Sequence, residues 1–447
     1  MKHTQSAGAK PLKNVDLQID ARWVATPDQD QVLEYHSLVI DKGIIVDLCP
    51  TAKARLSYNA TRVHALPESM LTPGFINLHN HCAMTLLRGA GTDLPLMQWL
   101  QDAIWPLENK HANHDMVALG ARWSMAEMLA GGTTTFSDQY FFPEAVAEVA
   151  IEMGMRCQLA TPIIDFPTAW AADAASGFEK TVALHDKYKS HPKVHIALGP
   201  HAPYTISDET FNQCRTLADQ LGMRIQCHVQ ETQGEVDDAL KDTGQRPIDR
   251  LESLGLLGPD FQAVHVVALD DADIATLARY NVSTVTCPDS NMKLASGFAR
   301  TRDMLAAGIN LCIGTDGAAS NNDQDLLSEA RSATLVAKGG AQDATAMPLM
   351  QTLQIMTLNG ARAMGLEDEI GTLEPGKRAD IVAIDLSDPF IKPLTDPLAA
   401  MFYTQRARVD QVWIDGQLKA EQGRVAGLDI PNLAEQVQQF RKTMENA

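Results

Sequence analysis

The sequence predicts an α/β protein: a (β/α)8, TIM-like barrel with a small β-sandwich domain built from both chain termini. Three observations carry this reading. Eight apolar runs of strand length alternate with helix-compatible stretches over about 300 residues, the pattern of a parallel α/β fold of barrel size. Short alternating runs with turn chemistry precede residue 73 and return after residue 368. No Gly-x-Gly-x-x-Gly follows an early strand, which ranks a doubly wound open sheet behind the barrel.

Taken in order, residues 15–19, 37–40 and 44–48 read as short strands. Asp41-Lys42-Gly43 joins the last two as a hairpin turn in which glycine supplies the positive φ. The pattern changes at Pro73-Gly74. Barrel strands are expected at 75–79, 132–137, 156–162, 194–199, 224–228, 263–267, 283–286 and 309–314. A turn-rich stretch over 369–380 then leads into strand-like runs at 381–384 and 409–416, able to pair with the N-terminal strands, and residues 433–444 have the spacing of an amphipathic surface helix. The expected division is residues 1–72 plus 368–447 as a composite small β domain with a C-terminal helix, and 73–367 as the (β/α)8 barrel.

Length and composition narrow the function. With 447 residues a sizeable core is available, and 45% hydrophobic against 21% charged residues is ordinary for a soluble globular chain. A net charge of −19 works against binding a phosphate backbone, so nucleic acid is not expected as a partner. Seven scattered cysteines without Cys-x-x-Cys argue against a disulfide framework or a cysteine zinc knuckle. The opening MKHTQSAGAKPLKN has no apolar core of signal-peptide length, and no run reaches the roughly 18 apolar residues of a membrane helix. A cytoplasmic protein without a membrane partner is expected.

The chemistry begins at His79-Asn80-His81, where an apolar run ends. Side chains at i and i+2 of a strand point the same way, so both imidazoles can address one metal ion. Other polar residues recur at expected strand ends: His201 after the fourth, His228 with Glu231 after the fifth, His265 on the sixth and Asp316 after the eighth. Barrel enzymes build their sites at that end. Each has a bland alternative: His265 could be a satisfied core histidine, and Asp316 before glycine could start a turn. Sharing one end of several strands is what independent structural residues have no reason to do.

The run 73–81, His228 followed by Glu231, His265 and Gly314-Thr315-Asp316 together resemble the amidohydrolase superfamily, barrel enzymes with a catalytic metal. Within it, the runs 84–89, 93–100 and 104–108 look like the 5'-methylthioadenosine/S-adenosylhomocysteine deaminases, and 371–380 is similar to the segment with which these enzymes re-enter their small β domain. Asn80 departs from the threonine of many relatives. The resemblance implies His79, His81, His228 and Asp316 as metal ligands, with His265, Glu231 and Asp316 catalytic, and Glu108, His201 and Trp105 substrate-binding. Trp105 reads equally well as a packed core aromatic. Strand four lacks the lysine that bridges two metals in binuclear members, so one divalent ion per subunit, Zn2+, is implied. The implied reaction is hydrolytic deamination of an adenine nucleoside (5'-methylthioadenosine, adenosine, possibly S-adenosylhomocysteine), in a homo-oligomer. No basic residue stands between Arg156 and Lys180 to receive an amino-acid tail, which favours the first two substrates. The alternatives are a relative acting on guanine, a pterin or a triazine, and a non-catalytic barrel scaffold.

Overall fold

The computed structural model describes residues 12–446; the first eleven residues of the N-terminal stretch read above for targeting signals lie outside them. The outer sheet is made by both ends of the chain. Its strands are β1 (Lys13–Val24), β2 (Leu33–Asp41), β3 (Ile44–Pro50) and β4 (Tyr58–Pro73) from the N-terminal side. The barrel strands follow: β5 (Phe75–Asn80), β6 (Thr133–Asp138), β7 (Arg156–Ile163), β8 (Val194–Pro200), β9 (Ile225–Val229), β10 (Phe261–His265), β11 (Ser283–Thr286) and β12 (Asn310–Ile313). Then β13 (Ile381–Asp385), β14 (Arg408–Ile414), β15 (Gln417–Glu421) and β16 (Arg424–Val425) return to the outer sheet.

The barrel strands are parallel and neighbour one another in chain order. Each is one of the eight apolar runs read from the sequence, with ends displaced by at most two residues. The seam between last and first strand is drawn together above β12. The Asp316 amide donates to the His79 carbonyl at 3.0 Å, while Asn77 Nδ2 donates to Thr315 Oγ1 at 2.7 Å and Asn77 Oδ1 accepts from the Thr315 amide at 3.0 Å. A Cβ on Gly314 would lie 2.7 Å from the His79 nitrogen, so this approach requires glycine.

The outer sheet runs β16-β15-β14-β13-β4-β1-β2-β3. Among the described residues, only its β1–β4 pair is parallel. The sheet curls back on itself, the Ile45 amide donating to the Lys377 carbonyl at 2.8 Å, and encloses a small core containing Leu17, Ile19, Leu38, Ile40, Ile381 and Trp413. Strands β4, β15 and β16 are not among those expected from the sequence. The first two-thirds of β4 carries Arg62, His64, Pro67 and Glu68 and is largely exposed, so no apolar alternation marks it. Pro67 falls where the β1–β4 register shifts between Ala21 and Trp23, the irregularity that a proline in a strand needs.

Sheet and barrel are joined by a buried ion cluster. Arg156, fully buried at the start of β7, donates to Asp380 and to Thr135 Oγ1 (3.3 Å) and lies 3.6 Å from Asp415. Asp415 also receives Lys193 at 2.7 Å and Arg378 at 3.2 Å. All seven cysteines are free and buried. The amphipathic C-terminal segment forms the helix Ile430–Asn446. Among the described residues no helix is long and apolar enough to cross a membrane.

Candidate metal centre and active site

Alternation along β5 aims His79 and His81 the same way. Asn80 between them is fully buried and holds the turn from behind, its Oδ1 accepting from the His81 amide at 2.7 Å. His228 sits one residue before the end of β9 and His265 is the last residue of β10, while His201, Glu231 and Asp316 follow β8, β9 and β12. These residues therefore gather at the C-terminal mouth of the barrel. The His81, His228 and His265 rings lie in a stacked row, with centroids 5.6 and 5.5 Å apart, and His79 stands edge-on to all three at 4.8, 4.9 and 5.7 Å.

Four imidazoles are held by the same device. The Nδ1 of His81 meets the Gln139 carbonyl at 2.5 Å, that of His228 the His201 carbonyl at 2.6 Å, that of His79 Gln226 Oε1 at 3.0 Å and that of His265 Asn291 Oδ1 at 3.0 Å. An amide oxygen only accepts, so each Nδ1 carries a proton, and the Nε2 of each neutral ring presents a lone pair. Burial pushes His79, His228 and His265 below the usual imidazole range, which keeps them neutral. Asp316 is clamped on both oxygens: Oδ2 accepts from Ser290 at 2.7 Å and Ser320 at 2.8 Å, and Oδ1 accepts from the Gly317 amide at 2.7 Å. Its Oδ1 lies 3.2 Å from His81 Nε2 and 3.5 Å from His79 Nε2. Burial opposes ionisation of Asp316, yet its close approach to the His79 and His81 rings outweighs it and holds the carboxyl well below its usual range, and, against burial, the same carboxylate raises His81 to about 9.

Among the described residues two sets of donor atoms lie within 4.8 Å of one another, His79 with His81 and Asp316, and His79 with His228 and His265. His79 Nε2, common to both, is buried without a hydrogen-bond partner. An orphaned buried lone pair facing neutral imidazoles and an ionised carboxylate is what a divalent ion such as zinc satisfies, so the residues present fit a metal.

A cavity of about 210 Å³ opens over these groups. His81, His201, His228, Glu231, His265, Asp316, Glu108 and Trp105 line it, and His79 lies beneath. Glu108 and Trp105 share the short helix Trp105–His111, which a π-helical turn over Leu100–Ile104 directs at the cavity. Trp105 is half-buried and also packs on the main core, so both readings of it retain structural support. Burial, joined by the nearby Asp316 charge, pushes Glu231 up to about 8. Burial lifts Glu108 to about 7 against the pull of Tyr140 and His81, and lowers His201 to about 4. His265 and Asp316 adopt positive φ, 70° and 61°, strain of the kind that gathers at working sites.

Several contributors are absent from the sequence-based site: Gln226, Asn291, Ser290, Ser320 and the Gln139 carbonyl. Gln226 alone left a trace, as a polar residue two positions before His228 on an otherwise apolar strand. Ser290 and Asn291 lie on the short helix Pro288–Lys293, whose sequence has no marked signal.

Comparison with known proteins agrees with this geometry. Residues 70–419 match the amidohydrolase family model. The chain is 43% identical to a 5-methylthioadenosine/S-adenosylhomocysteine deaminase of Saccharophagus degradans over 94% of each chain. It is 40% identical to the same-named protein of Teredinibacter turnerae, over 96% of this chain and 98% of the relative. A crystal structure of an adenosine deaminase from Xanthomonas campestris with bound zinc superposes with a TM-score of 0.95 at 43% identity, covering 98% of this chain and 100% of that one. Barrel, donor set and near full-length similarity point one way: the chain belongs to the amidohydrolase family.

Proposed function

We propose that the protein hydrolytically deaminates an adenine nucleoside (5'-methylthioadenosine, adenosine and possibly S-adenosylhomocysteine) to the inosine analogue and ammonia. The observation that carries this is one cavity holding four Nε2-presenting imidazoles at or beneath its wall, an ionised carboxylate, a protonated one and a further buried glutamate, in a chain about 40% identical to deaminases of that name. His79, His81, His228 and Asp316 would hold one zinc ion. When bound, such an ion lowers the pKa of water to roughly 7, making a nucleophile available at neutral pH.

The chain's own groups account for the proton transfers. Asp316, kept ionised, accepts the proton of the attacking water, and His265 Nε2 holds the same oxygen toward C6 of the purine. Glu231, protonated at neutral pH, donates to ring N1 as C6 becomes tetrahedral, because attack breaks the aromatic ring. Its Oε2 lies 3.7 Å from His265 Nε2, so acid and base work side by side. The amino group leaves as ammonia after a second transfer. Glu108 receives the ribose hydroxyls, His201 faces the sugar or purine, and Trp105 covers the base. The outer wall, with Ile164, Phe166, Pro167, Trp99 and Leu100, is apolar, and among the described residues no arginine or lysine lines the cavity. This supports neutral 5' substituents over a zwitterionic amino-acid tail, whose carboxylate would lack a cationic partner. Seven free buried cysteines suit a reducing compartment and support a cytoplasmic site of action.

The test is ammonia release from methylthioadenosine, adenosine, S-adenosylhomocysteine and guanine, with metal content measured on the same sample. The first two are expected to be turned over best, with about one zinc per chain. Release from guanine alone would transfer the site to another heterocycle, equal turnover of S-adenosylhomocysteine would remove the 5' preference, and neither metal nor ammonia would revive the scaffold reading.

A further inference from the structure

The four Nδ1 anchors at the site are not equivalent. Those of His81 and His228 are main-chain carbonyls. That of His265 is the Asn291 side chain, whose Nδ2 is buried without an acceptor, so its amide is held from one side only. The anchor of His79 is Gln226, fully buried, and its amide is fixed from both sides. Oε1 faces His79 Nδ1 at 3.0 Å, and Nε2 donates to the Leu78 carbonyl at 3.0 Å, Ser137 Oγ at 3.2 Å and Gln262 Oε1 at 2.8 Å. Turning the amide over would set its oxygen against the Leu78 carbonyl and its N–H against the His79 N–H. The lock continues below: Gln262 donates to the Ala363 carbonyl at 2.9 Å and is paired with Gln158, which also donates to Ser137 at 3.0 Å. Three glutamines from β7, β9 and β10 thus form a layer across the barrel interior, and its upper end decides which nitrogen of His79 carries the proton.

We propose that Gln226 is a positioning residue that locks His79 in the Nδ1–H tautomer and thereby sets the affinity of the site for its metal. The inference rests on the reading of His79 as a ligand. His79 is the donor common to both clusters and is fully buried, so no water can replace Gln226 as its acceptor. Without that acceptor the ring is free to carry its proton on Nε2, where it competes with the ion. Partners of this type are typically worth 10–100-fold in metal affinity.

The test is the zinc dissociation constant of the full-length protein, measured by chelator competition. Gln226→Leu is expected to weaken binding 10–100-fold. Gln226→Glu is expected to recover most of that loss, because a glutamic acid buried among carbonyls stays protonated, donates to Leu78 and still accepts from His79. Gln158→Leu perturbs the same layer without touching His79 and is expected to lower the melting temperature while leaving zinc affinity unchanged. Wild-type affinity in Gln226→Leu, or an equal loss in Gln158→Leu, overturns the proposal. If Gln226→Leu does not fold, ¹⁵N-histidine spectra of the zinc-loaded wild type decide: a proton on His79 Nδ1 supports the lock, and one on Nε2 overturns it. A wild-type protein that takes up no zinc would remove the ligand reading itself, which separates the two failures.

Discussion

Replacing Glu231 by glutamine keeps the size of the side chain and removes its acid. With the carboxyl at about 8, about nine-tenths of it is protonated at pH 7 and about one-tenth at pH 9. If the protonated form delivers the proton to N1, kcat falls about tenfold between those pH values in the wild type, and the sign is fixed: activity is lost as pH rises. Removing a positioned general acid costs about 10²–10⁴ in rate, or about 3–5 kcal/mol in barrier height. The assay is the absorbance change on deamination of methylthioadenosine under saturating conditions from pH 6 to 9.5, with zinc content determined for both proteins. Glu231→Gln should bind zinc as the wild type does, turn over at least a hundredfold more slowly, and show no alkaline fall near pH 8. A variant retaining more than a tenth of wild-type kcat, or one that keeps the same alkaline limb, would refute the role of Glu231.

The Glu108→Gln variant weakens a charge-assisted contact to the ribose of about 1.5–3 kcal/mol, so kcat/KM for adenosine is expected to fall about 10–150-fold, chiefly through KM, with zinc content unchanged; unchanged kinetics on ribonucleosides would favour a substrate without a sugar. Arg156→Met strands Asp380 in a buried position, and a loss of about 3–5 kcal/mol in unfolding free energy is expected from urea titration; a loss under 1 kcal/mol would mean that the ion cluster contributes little to holding sheet and barrel together.

The barrel was legible because parallel strands buried on both faces appear as continuous apolar runs, and each run is interrupted by enough chain for a helix. The outer sheet was legible only where one face is buried. β4 is missing from the sequence reading because its first two-thirds is charged and exposed, and its proline argues against a strand until the bulge opposite is seen. At the site, the residue types announced themselves: histidines and acids ending apolar runs have few other reasons to recur. What holds them did not. The Gln139 and His201 carbonyls carry no side-chain signature, and Ser290 and Ser320 are ordinary loop and helix residues whose importance comes from facing Asp316.

The seam of the barrel sets an order on how the molecule is made. Asn77 and Thr315, which bond across it, are 238 residues apart. At a synthesis rate of 5–20 residues per second, roughly 10–50 s separate the emergence of His79 and His81 from that of Asp316. Throughout that interval the nascent chain lacks the Asp316 carboxylate, while His228 joins the two first histidines partway, and the loop closure that supplies the carboxylate is among the longest in the fold. On the proposed ligand set, the full metal site exists only once the barrel is closed, and a chain ending before β12 lacks its carboxylate.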